Sequence, residues 1–190
     1  EGSSDGLVLS SINGSIDNIN AQQFNGGGNI LKLDYINEDL SISNIVGIVG
    51  GSPGIAGANN RALDLESINL SGAPAIDFDS SSGVLSNVKL TGSGFGTALI
   101  SHHGRFSDSL AIDDLEISSY TIGIDLHADG PDTTAPLIVG NAVISASTSL
   151  SAEDYPIIMN NAVVTGNVEV SGAVTASFTD SQIDQPVSIY

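Results

Sequence analysis

The sequence predicts an all-β fold: a right-handed parallel β-helix of about seven coils, each built from three short strands. Three observations carry this. A short motif recurs along the 190 residues, one position of every copy is a corner-forming polar residue, and apolar residues between corners alternate with polar ones in runs too short for helices.

The motif is a polar residue, a small or apolar one, any residue, then an aliphatic anchor. It reads SINL from Ser67, NVKL from Asn87, DLEI from Asp114, NAVI from Asn141 and NAVV from Asn161. Weaker copies are NGSI from Asn13, DLSI from Asp39 and DSQI from Asp180. The anchors are Ile16, Ile42, Leu70, Leu90, Ile117, Ile144, Val164 and Ile183, spaced 19 to 28 residues apart, the length of one solenoid coil. The residues opening the copies are Asn13, Asp39, Ser67, Asn87, Asp114, Asn141, Asn161 and Asp180. Such residues tolerate the left-handed conformation and bond their own backbone in turns, so in stacked coils they form a polar corner ladder.

Each coil carries two further strands. One precedes the corner, as in Leu63–Leu65, Leu110–Ile112, Leu137–Val139 and Ile157–Met159. The other follows the anchor, as in Ile76–Phe78, Ala98–Ile100, Ile124–Leu126, Val168–Val170 and Val187–Ile189. Polar residues such as Asp77, Asp125 and Glu169 alternate with apolar ones there, which puts one face inside and one in water. Leu7–Leu9 reads as a strand just before a corner, so the single domain, residues 1–190, starts and ends mid-coil and fits within a longer solenoid. A β-sandwich is the alternative architecture, but it leaves the eight-fold corner position without a reason.

Composition narrows the function. A net charge of −18 repels phosphate backbones and anionic membrane surfaces, so neither nucleic acid nor membrane is an expected partner. No apolar run approaches the length of a membrane helix. With no cysteine there is neither a disulfide framework nor a thiolate metal site. Few lysines, no cysteine and abundant small polar residues point to an extracellular or cell-surface protein.

The coil pattern resembles the pectin-lyase-like β-helix superfamily over nearly the whole chain. That resemblance implies the fold and, in its enzymes, cleavage of acidic polysaccharides by carboxylates that hold calcium, an arginine and often a lysine along a groove. No such motif maps residue by residue here, so no catalytic residue is carried over. Lys32 and Lys89 read as lying away from the candidate edge, and Asp77 and Asp125, two coils apart with Leu99 between, read as a poor pair for inverting hydrolysis.

That edge is the set of loops after the post-anchor strands. It collects His102, His103 and His127, both arginines, Arg61 and Arg105, and Asp108, Asp129, Asp132, Glu153, Asp154 and Tyr155. Loops on a rigid scaffold are where binding groups concentrate. The candidate binding set is therefore His102, His103, Arg105, Asp108, His127, Asp129 and Asp132, expected to share an edge rather than to face one another. Imidazole and carboxylate suit zinc-like ions, and the carboxylates suit calcium, but no intrinsic cofactor is expected. The leading expectation is a structural or interaction module: an adhesin, appendage or filament subunit, with self-association or end-to-end stacking. The alternative is a carbohydrate-binding or polysaccharide-cleaving β-helix using residues 101–109 and 127–136. A flat threonine array for ice or mineral is not evident in the sequence.

Overall fold

In the strand LDLESINLS, Leu63, Leu65, Ile68 and Leu70 are buried while Asp64, Glu66 and Asn69 face water. Two residues, not one, separate Leu65 from Ile68. The phase resets at Ser67, whose φ of 57° turns the chain through a corner so that apolar side chains point inward on both sides. Repeated coil after coil, this step closes a tube around an aliphatic core.

The computed structural model describes residues 5–21, 27–103, 108–128, 135–172 and 175–190. Among them there is no helix, and so none long and apolar enough to cross a membrane. The strands form one parallel β-solenoid of about seven turns. Strands β1 (Leu7–Ser10), β3 (Leu31–Asp34), β5 (Ile55–Ala58), β7 (Ile76–Asp79) and β9 (Thr97–His103) stack on one face, here the third. Strands β2 (Gly14–Ala21), β4 (Leu40–Ile48), β6 (Leu63–Ser71) and β8 (Gly83–Thr91) bend at the corner and supply the first and second faces. The longer β10 (Leu110–Ala128), β11 (Leu137–Glu153) and β12 (Ile157–Ser171) run round all three. The last described rung is β13 (Ala176–Thr179), β14 (Gln182–Ile183) and β15 (Val187–Ile189).

Six of the eight expected corner residues take positive φ: Ser67, Asn87, Asp114, Asn141, Asn161 and Asp180. The register of the first two coils differs. Their corners are Asn18 and Asn44, five residues after Asn13 and Asp39, with φ of 63° and 56°. Asn13 and Asp39 instead precede β2 and β4, where Gly14 N–H donates to the Asp39 carbonyl. The same slip misplaces Leu7–Leu9, which stacks on β3 on the third face, one corner earlier than expected.

The ladder is bonded in segments. Asn87 Nδ2 donates to Ser67 Oγ at 3.1 Å, and Asn161 Nδ2 to Asn141 Oδ1 at 2.6 Å. Asn141 Nδ2 reaches Asp113 Oδ1 at 2.8 Å rather than the corner residue Asp114. At the other end, Asp17 accepts from Ser43, Asn44 and Asn18. Those bonds, Ser43 first, hold its carboxyl below the usual range.

A second polar corner, absent from the sequence reading, follows the third face: Ser11, Tyr35, Asn59, Ser80 and Asp154 all take positive φ. Tyr120 lies at a register shift in β10, and its Oη donates to the Gly72 carbonyl at 2.6 Å, tying together two coils.

Candidate functional site

Every second residue of the third face points outward, and parallel in-register pairing stacks these residues about 4.8 Å apart. Two outward columns result. One runs Lys32, Ala56, Asp77, Ile100, Asp125, Ser151, Glu169; its neighbour runs Asp34, Ala58, Asp79, His102, His127, Glu153, Ser171. His102 and His127 are therefore direct register partners at the ends of β9 and β10. Their rings stack with centroids 5.8 Å apart and planes inclined by 21°. This corrects the expectation that they only share an edge: they sit at the strand ends, where the register is fixed, not in the loops beyond.

Carboxylates surround the pair. His102 Nε2 lies 3.9 Å from Asp77 Oδ1. His127 Nε2 lies 3.0 Å from Asp125 Oδ1, and its Nδ1 lies 3.6 Å from Glu153 Oε2. Burial pushes the Asp77 carboxyl above its ordinary value; the His102 charge pulls it down and Asp79 adds to the rise. The outward residue between Asp77 and Asp125 is Ile100, not Leu99, which is buried in the core. Lys32 also belongs to this face, two rungs before Asp77, with Nζ 3.7 Å from Asp34 Oδ2.

Of the other expected site residues, His103 ends β9 and Asp108 is exposed just before β10. Arg105, Asp129 and Asp132 lie outside the described residues. Among the described residues, no group of three or more His, Asp or Glu side chains is placed so that it could hold a metal ion. Asp79, which with Asp77 makes an acidic D-x-D spacing in the sequence, stacks beside His102 in the outward column.

Tyr155, grouped with the edge from sequence, turns inward instead. It is 2% exposed, and its Oη lies 3.4 Å from Ser101 Oγ, beneath the histidine pair. Burial pushes its phenol up to about 12, against a smaller pull from Ser101, and Tyr120 likewise rises to about 12 by burial. A raised folded pKa means the folded state holds the proton more tightly. The stabilisation is complete below the unfolded value of about 10 and is lost as pH climbs through about 12. For Tyr155 two units correspond to at most about 2.7 kcal/mol. The denaturation midpoint should fall steeply across that window, and Tyr155→Phe should flatten the fall; an unchanged profile in the variant would refute the assignment.

The second face carries two features. The column Ser71, Thr91, Ser118, Ser145, Thr165 lines up outward hydroxyls, so a single file of Ser and Thr exists where the sequence showed no array. Near its start, an open groove of about 390 Å³ is lined by Val46, Ile48, Asn69 and Ser71 among others.

Fold and site together define a parallel β-solenoid bearing an outward histidine–carboxylate array. Comparison with family models, curated proteins and solved structures gave no match.

Proposed function

We propose that the chain is a structural and interaction module of the cell exterior, which works by stacking coil on coil into a longer surface fibre or appendage. The observation that carries this is the in-register stack of about seven parallel coils, in which each rung meets the next through the same backbone ladder and the same outward columns. A solenoid of this kind lengthens by adding rungs, and an added coil can come from the same polypeptide or from another molecule.

Sedimentation velocity and electron micrographs test this. The 190-residue chain should form species longer than one molecule that grow with protein concentration. They should also grow with salt, because like charges at −18 repel until screened, for example at ~0.5 M. A strictly monomeric protein at high concentration and high salt would sink the reading.

A further inference from the structure

Two of the three faces are acidic on the outside. The third presents the carboxylate columns described above, and the first presents Asp64, Glu66 and Asp113. The second differs. Its six rungs from Val46 to Val163 each put two residues outward, and of these only Lys89 and Glu116 are charged. A chain of net charge −18 therefore has one face whose charges cancel. We infer that this face pairs with the same face of a second copy of the chain. Two copies of a polyanion repel each other through their acidic faces and escape that repulsion here. The face is also apolar towards both ends, where Val46, Ile48, Val143 and Val163 are 44%, 51%, 53% and 44% exposed. A cationic partner would settle on the acidic faces instead.

Symmetry fixes how the copies meet. In a closed pair both use one patch, and wherever residue i meets j, j meets i. A two-fold axis along the strands, between β8 and β10, sets each outward column against its own copy in reverse order. Lys89 then faces the partner's Glu116, and Glu116 the partner's Lys89. The same axis brings Val46 to the partner's Val163, Ser71 to the partner's Ser145 and Thr91 to the partner's Ser118, so apolar meets apolar and hydroxyl meets hydroxyl. An axis along the stack would instead set Lys89 and Glu116 against hydroxyls. Within one chain Lys89 Nζ lies 2.7 Å from Glu116 Oε1, with the side chains 49% and 51% exposed, so the two ion pairs can join into a square of alternating charge across the interface. Rungs ~4.8 Å apart and two outward residues wide cover roughly 400 Å² on each copy, which makes a weak pair that forms and separates readily.

Sedimentation equilibrium at about 0.15 M salt tests this, because end-to-end growth is open-ended whereas face-to-face pairing stops at two. The unmodified chain should show a step to dimers. Lys89→Glu and Glu116→Lys should each weaken that step at least about tenfold, because like charges then meet twice across the axis. Mixed one to one, the two variants should regain the unmodified affinity to within about threefold, because one copy presents two glutamates and the other two lysines. That rescue is what a merely structural role would not give: the ion pair within each chain stays broken in the mixture. Both positions are on the outside of the sheet, so far-UV circular dichroism should be unchanged in the variants. Dimers that persist unaltered in either variant, or a mixture as weak as its components, would overturn the pairing face and leave end-to-end stacking untouched. An unmodified chain that forms no dimer would also overturn it, whether or not a neutral oligosaccharide then binds this face.

Discussion

Phe78→Ala should be the most damaging truncation in the chain, costing about 3–5 kcal/mol in chemical denaturation. Phe78 is fully buried on β7. Its register partners in the inner column are Gly57 on one side and Ser101 on the other. Two small residues flank one large ring, so the ring fills volume that its neighbours leave empty. After truncation neither neighbour has atoms to move into the void, and the rungs are held apart by their backbone bonds. The cavity therefore persists and the cost falls high in the range. The same packing predicts coupling. A Cβ on Gly57 would lie 2.8 Å from Phe78 Cδ1, so Gly57→Ala alone forces a shift. In a Phe78→Leu background the same change should cost about 1 kcal/mol less. Strict additivity of the two would show that the ring does not fill the space as described.

This exchange of volume between rungs also explains what the sequence hid. The solenoid was legible because corner residues recur with fixed phase to apolar neighbours, and from Ser67 onwards every expected corner takes the left-handed conformation. The first two coils slipped because their anchors are not large. Ala21 and Gly47 occupy the positions where later coils have Leu70 and Leu90. At Gly47 a Cβ would lie 2.3 Å from Ile30 Cδ1; a residue from outside the motif fills that part of the core. With the anchor reduced to glycine, the nearby NGSI and DLSI segments imitated the motif better than the true corners at Asn18 and Asn44. Strand β5 was lost in the same way: IAGA, with Gly57 under Phe78, reads as loop.

The site was half legible. Its histidines could be paired from their 25-residue separation, one coil apart. Whether the rings would meet depended on both lying in strand rather than loop, which is a matter of where pairing ends. No local pattern encodes that. The inward turn of Tyr155 was equally invisible, because a tyrosine beside a polar corner reads as exposed until the space above Ser101 is known.

Asn60→Leu should cost nearly as much as Phe78→Ala, about 3–5 kcal/mol, for the opposite reason. Asn60 is a wholly buried polar residue directly after the second-corner residue Asn59. Its Oδ1 accepts from the Ile36 N–H at 2.9 Å, and its Nδ2 donates to the Leu33 carbonyl at 3.0 Å and to Ser81 Oγ at 3.1 Å. Its backbone carbonyl accepts from Ser82 N–H at 2.9 Å. One side chain thus closes the turn after β3 and clips it to the turns of the next two rungs. Leucine matches its size but satisfies none of these groups. The Ile36 N–H would be stranded in the interior, at about 1–3 kcal/mol, while the Leu33 carbonyl and Ser81 each lose one bond. Asn60→Asp separates polarity from size. The ionised side chain keeps an acceptor for Ile36 but loses both donors and buries a charge. Protonation restores one donor and removes the charge, so this variant should regain stability as pH falls, whereas Asn60→Leu should not. A small loss for Asn60→Leu, or an Asn60→Asp variant indifferent to pH, would mean that water reaches this corner and takes over the bonds. The exposed ladder residue Asn161 sets the scale. Its side chain bonds Asn141 in contact with solvent, so Asn161→Ala should cost only about 1 kcal/mol, mostly for holding alanine in the left-handed conformation.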